Sequence, residues 1–182
     1  MNDEADARIF SMMKDPALRD KGFLQLMDTY KVPVYWHIRR MVVSHEDAED
    51  ILQETFINVY RFAHTYKGDS KVYTWLYRIA TNECISHFRK NKRWINKAIN
   101  ITDEMAGELS VNDAEHSEAI LLKFQKAILQ LPKQQRIVFN MRYFDELSYE
   151  DMEQILNSSV SALKTNYHFA SEKIKQYLID HA

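Results

Sequence analysis

Asp50, Gln53 and Glu54 stand three, one and four residues apart with Asn58, a spacing that gathers them on one side of a helix. Carboxylates grouped in this way suit a docking surface for a basic partner. A second group interleaves rings with cations: Tyr66, Tyr73, Trp75, Tyr77 and Phe88 among Lys67, Lys71, Arg78, Arg89, Lys90, Lys92 and Arg93. Aromatic faces stack on unpaired bases for roughly 1–3 kcal/mol each, while cations follow phosphates. Such a stretch fits single-stranded or melting DNA better than plain duplex. The opposing reading is that Trp75, Leu76, Tyr77 and Ile79 are core, since a small block must bury something. A third group, Ser161, Ala162, Lys164, Thr165 and His168, lies near the start of the last helix, where base edges and phosphates are read.

Catalytic chemistry finds little support. The seven histidines are scattered, His45-Glu46-Asp47-Ala48-Glu49 is not a His-Glu-x-x-His pair, and no Gly-rich phosphate loop exists. Cys84 is the sole cysteine, which leaves no disulfide framework and no cysteine-built zinc site. No enzyme, cofactor or metal is expected.

The elements that must position these groups are helices. Three Gly and three Pro in 182 residues are too few turn formers for a sandwich or barrel. In residues 47–64 apolar Ile51, Leu52, Phe56, Val59, Tyr60 and Ala63 form one stripe, opposite Asp50, Gln53, Glu54 and Arg61. Tyr66-Lys67-Gly68-Asp69-Ser70 reads as a loop, followed by one long helix from Tyr73 towards Arg93. The C-terminal block reads as four helices: Ile120 to Leu131, Gln134 to Phe144, a short one to Leu156 opened by Ser148-Tyr149-Glu150-Asp151, and a last one capped by Ser159. In that last helix Val160, Leu163, Tyr167, Ala170, Ile174 and Leu178 form the buried stripe. A short capped helix, a tight turn and a second helix make a helix-turn-helix pattern.

The net charge of −2 averages over unlike segments. Residues 1–21 carry −1, residues 22–94 carry +3, residues 95–117 carry −4, and residues 118–182 are neutral. The expected architecture is therefore all-α: an N-terminal segment (1–21), a helical domain (22–94), an acidic linker (95–117) and a four-helix helix-turn-helix domain (118–182). No apolar run is long enough to span a membrane, and the acidic start MNDEADARIF lacks the features of a signal peptide, so a cytoplasmic location is expected.

Taken together, Asp47-Ala48-Glu49-Asp50-Ile51-Leu52-Gln53-Glu54-Thr55-Phe56 resembles the polymerase-docking motif of bacterial sigma factors. Tyr66 to Ser70 with Tyr73-Thr74-Trp75-Leu76-Tyr77-Arg78-Ile79-Ala80-Thr81-Asn82 resembles the promoter-melting segment of the extracytoplasmic-function (ECF) group of the sigma-70 family. The resemblance implies a non-catalytic subunit that joins core RNA polymerase, recognises promoter DNA and melts it. Asp50, Gln53 and Glu54 would then meet the clamp helices of the largest polymerase subunit. Tyr66, Lys67 and Ser70 would hold a base flipped from the non-template strand. Asn82, Arg89, Lys90 and Arg93 would contact the edge of the melted duplex and its phosphates. Ser161, Ala162, Lys164, Thr165 and His168 would read the upstream element. It also implies an inhibitory anti-sigma partner, with no direct membrane insertion.

Asn166 and Phe169 stand where this group often carries arginines, which implies weaker and differently specified upstream binding. Ser86 replaces a frequent Asp. The 23-residue linker averages about 26 Å as a flexible coil but reaches about 75–80 Å extended. Promoter elements roughly 50–70 Å apart need the extended form. The competing function is a helix-turn-helix regulator that acts without polymerase, and it has no use for the face at Asp50, Gln53 and Glu54. A further alternative is a protein-interaction module whose helix-turn-helix is structural.

Overall fold

The computed structural model describes residues 3–42, 44–90 and 114–181, with the side chains of Asp3 and of residues 114–119 outside that description. Every regular element among the described residues is helical. The chain divides into two compact units, one holding residues 1–87 and 154–157 and the other residues 88–153 and 158–182.

In the first unit α1 (Asp3–Lys14) turns through Asp15 to Leu18 into α2 (Arg19–Met41). The Asp15 carboxylate accepts from the Ala17 amide at 2.9 Å and fixes that turn. α2 buries Gly22, Leu26, Tyr30, Val34, Ile38 and Met41, a stripe of three- and four-residue steps. Pro33 is therefore no boundary: it sits inside α2 on the solvent side, and the buried residues on both sides of it carry the helix past its missing N–H.

The α1 and α2 helices meet closely. A Cβ on Gly22 would lie 2.9 Å from Met12 Cβ and 3.0 Å from the Ile9 carbonyl oxygen. Gly22→Ala is expected to push α1 outwards and cost about 1–3 kcal/mol, read as a lower urea midpoint at unchanged slope. Beneath this crossing, the Tyr30 hydroxyl donates to Asp6 Oδ2 at 2.7 Å.

α3 (His45–Phe62) begins at Ser44, whose hydroxyl accepts from the Asp47 amide at 3.4 Å. Glu46 and Asp47 lie in its first turn, where the helix dipole favours them. Its buried side comprises Ala48, Ile51, Leu52, Thr55, Phe56 and Val59. A single 3₁₀ turn (Ala63–Thr65) and a loop with Gly68 at φ +84° lead to α4 (Val72–Lys90). α4 buries Trp75, Leu76, Tyr77, Ala80, Thr81 and Cys84, whose thiol burial pushes its pKa up and keeps it protonated. His37 is fully buried, with its ring stacked 4.2 Å from Tyr77 and Nε2 2.9 Å from the Thr81 hydroxyl. It joins α2 to α4 and is a core residue.

The second unit contains α5 (Ala114–Gln130), α6 (Lys133–Tyr143), most of α7 (Tyr149–Leu156) and α8 (Val160–Asp180). Pro132 separates α5 from α6, as expected from its rigid φ. Ala127, Ile128, Leu131, Phe139, Ala170 and Ile174 form a core, with Phe124, Phe144 and Tyr167 packed on it. Phe139 and Tyr167 stack 5.7 Å apart, tying α6 to α8. Arg136 is buried among these helices, and desolvation lowers its pKa to about 10, so it remains charged at neutral pH.

Candidate polymerase and promoter interface

Asp50, Gln53 and Glu54 are exposed on α3, directly across the helix from Ile51, Leu52 and Thr55. Glu46 and Glu49 are exposed beside them, so the acidic surface begins a turn earlier than Asp50. His45 Nε2 lies 3.2 Å from Glu49. Asn58 departs from this face: it is half-buried and donates to Glu83 Oε1 at 2.9 Å. Ile57, 43% exposed, continues the line through Glu46, Asp50 and Gln53 in its place. An apolar residue amid acids gave no sign of this role in the sequence. Together these groups make an anionic ridge with an apolar end, suited to a basic helical partner.

The loop after α3 holds its predicted residues differently from one another. Lys67 is exposed, whereas Ser70 and Tyr66 are half-buried. The Tyr66 hydroxyl donates to the Ser70 carbonyl, and its ring packs 5.6 Å from that of Trp75. Trp75 and Tyr77 face the core, so the interior reading holds for both. Ile79 is half-buried and Leu76 is fully buried.

Along α4, Asn82, Arg89 and Lys90 are exposed. Arg93 lies outside the described residues, as does most of the 95–117 linker. Arg78 is exposed four residues before Asn82 and eleven before Arg89, which places all three on one stripe. Arg78 belongs with the DNA-facing candidates, and its spacing from Asn82 was the signal for it.

The helix-turn-helix is built from its caps. The Ser148 hydroxyl accepts from the Asp151 amide at 3.0 Å and donates to Asp151 Oδ2 at 2.7 Å. Asn157 takes the left-handed conformation (φ 50°), which asparagine tolerates, and ends α7. The Ser159 hydroxyl accepts from the Ala162 amide at 3.3 Å, while Glu153 Oε1 accepts from the Val160 amide at 3.2 Å across the turn. Ser148→Ala is expected to cost about 0.5–2 kcal/mol, seen as a lower thermal midpoint for the second unit's unfolding.

Ser161, Lys164, Thr165 and His168 are exposed on α8, and Ala162 is half-buried. Thr165 Oγ1 donates to the Ser161 carbonyl at 3.0 Å. Asn166 Nδ2 donates to the Ala162 carbonyl at 2.9 Å, so its amide turns back along the helix. Phe169 is 51% exposed and presents its ring at the surface beside His168. Lys164 and Arg142 flank the ring of Tyr149, at 5.6 and 5.2 Å from its centroid. Arg142 and Tyr149 are further members of this surface that residue spacing alone did not single out.

Two family models match, one to each block: sigma-70 region 2 over residues 26–94 and sigma-70 region 4 over residues 121–174. The ECF RNA polymerase sigma factor SigW of Bacillus subtilis strain 168 is 34% identical over 168 residues, covering 87% of this chain and 90% of SigW. This chain belongs to the ECF sigma factors. The RNA polymerase sigma-H factor of Pseudomonas aeruginosa is 30% identical over 87% of this chain and 86% of its own length. In fold, the sigma factor resembles CnrH, solved with the cytosolic domain of CnrY (TM-score 0.71, 18% identity, 98% and 99% coverage). It also resembles RpoE of Bartonella quintana, solved with the anti-sigma factor NepR (TM-score 0.66, 20% identity, 87% and 97% coverage). The sigma factor is thus a promoter-specificity subunit of RNA polymerase and not an enzyme. None of its described helices is long and apolar enough to cross a membrane.

Proposed function

We propose that the sigma factor divides its work among four surfaces. The ridge at Asp50, Gln53 and Glu54, extended by Ile57, docks on core polymerase. The loop carrying Tyr66, Lys67 and Ser70 receives a base displaced from the non-template strand, and Lys67 follows its phosphate. The α4 stripe of Arg78, Asn82 and Arg89, with Lys90 beside it and Arg93 following in the sequence, guides the edge of the melted duplex. Ser161, Ala162, Lys164, Thr165 and His168 read the upstream element. The working division is a downstream domain over 22–94 with residues 1–21 seated on it, an acidic linker over 95–117 and an upstream domain over 118–182.

The observation that carries this reading is the acidic ridge, exposed along α3 on the side opposite its buried stripe. A regulator that binds duplex DNA without polymerase has no use for it. The neutral charge of residues 118–182 adds weight, because it makes tight autonomous binding to DNA unfavourable. Upstream reading then depends on polymerase holding the linker extended, a role its charge of −4 suits if it lies in a basic channel.

Such a subunit works in the cytoplasm, where polymerase and chromosome meet. Because the two neighbours above were solved with CnrY and with the anti-sigma factor NepR, an inhibitory protein partner is also proposed for this chain. Run-off transcription with core polymerase and a genomic promoter library tests the proposal. Initiation from a small set of fragments sharing two spaced elements is expected. Absence of promoter-specific initiation would overturn it.

A further inference from the structure

α1 lies before the residues matched by the region 2 model and carries none of the docking or DNA groups named above. It is nevertheless fitted closely to the loop. The Phe10 ring, 3% exposed, lies 4.2 Å from Tyr66 at an interplanar angle of 44° and 5.5 Å edge-on from Trp75. With Tyr66 and Trp75 themselves 5.6 Å apart, three rings from α1, the loop and α4 close on one another. The Tyr66 hydroxyl then reaches the Ser70 carbonyl, joining the two ends of the segment that displays Lys67 and Asp69. Gly22 sets how near α1 can come, since a side chain there would meet Met12 and Ile9.

From this arrangement we infer that α1 positions the loop for promoter opening, and that Phe10 acts through Tyr66 as its positioning residue. A loop ordered before it meets DNA spends less of the capture energy on its own ordering. Phe10 fills one side of the Tyr66 ring, which makes Tyr66 a strut of the loop rather than a free stacking platform. The backbone and polar groups of residues 67–70 are left to meet the base. This inference rests on the proposal that the loop receives a displaced base.

The test uses holoenzyme and a non-template-strand oligonucleotide from a promoter recovered by run-off selection, with an abasic site placed at each downstream-element position in turn. Wild-type holoenzyme is expected to prefer the intact strand about tenfold at one position. Phe10→Leu, which keeps volume but not the ring, is expected to reduce that preference to within about twofold while leaving core-polymerase affinity unchanged. Val34→Ala, which opens a cavity beneath the buried side of α2 without touching the three rings, is expected to lower thermal stability and keep the tenfold preference. Retention of the preference in Phe10→Leu would overturn the inference. So would its loss in Val34→Ala, because the ratio would then follow stability alone. A wild type indifferent to every abasic site would overturn the base-capture proposal itself, and the positioning role with it.

Discussion

Asp50→Lys combined with Glu54→Lys is expected to weaken binding to core polymerase by two to three orders of magnitude while leaving the fold intact. Both side chains are exposed, so each contributes only about 0.2–1 kcal/mol as a simple surface pair. Reversal does more than delete: it sets like charges against a basic partner, which costs several kcal/mol at a complementary interface. The folded chain is little affected, because substitutions on an exposed helix face away from caps and core stay within about 0.5 kcal/mol. Lys at 50 even gains Glu46 one turn earlier, a favourable helical pair that offsets the new repulsion between positions 50 and 54. Competition binding to core polymerase, alongside thermal unfolding followed by circular dichroism, checks both halves. Unchanged affinity would remove α3 from the docking surface.

The second large effect is expected on α4. Arg78→Glu with Arg89→Glu should lower the rate of promoter opening by roughly 30–100-fold at moderate salt, without altering core affinity. The two residues lie on the exposed stripe with Asn82, clear of the buried Trp75, Leu76 and Ala80. If each arginine follows one phosphate, the slope of log affinity against log salt falls by about 0.7–0.9 for every phosphate left without its cation. Measuring opening across a salt series distinguishes this from a folding defect, which would lower the active fraction and leave the slope unchanged. An unchanged slope would mean that the stripe faces away from the nucleic acid.

The two predictions differ in how plainly their residues stood in the sequence. The α3 ridge was legible because a helix buries one side and Ile51, Leu52, Phe56 and Val59 mark that side by spacing alone. The caps at Ser148 and Ser159 were legible too, since a hydroxyl before an amide-rich first turn is a local signal. Tertiary packing was not. Tyr66 in a polar loop resembled an exposed ring, but its packing depends on Phe10, fifty-six residues earlier. Asn58 fitted the acidic face until Glu83 of α4 drew its amide inwards. Asn166 likewise stood out only as a missing cation, and the structure adds that its amide is spent on the Ala162 carbonyl.

Charge behaved in the same way at a larger scale. The total of −2 reads as indifferent to nucleic acid, yet it averages a +3 block over 22–94 with a −4 linker. Segments that meet different partners have to be counted apart. The sparse Gly and Pro pointed correctly to helices, but Pro33 shows that a breaker loses to a well-buried stripe on both sides of it.

Opening of promoter DNA by this chain only as part of polymerase is read from the permanganate reactivity of unpaired thymines. On a promoter recovered by run-off selection, holoenzyme is predicted to expose thymines in the downstream element and start region, whereas the free chain and the Asp50→Lys/Glu54→Lys holoenzyme mixture expose none. Equal reactivity with the free chain would show that melting does not depend on this chain's docking to polymerase, and none with wild-type holoenzyme would show that the docked chain does not melt the promoter.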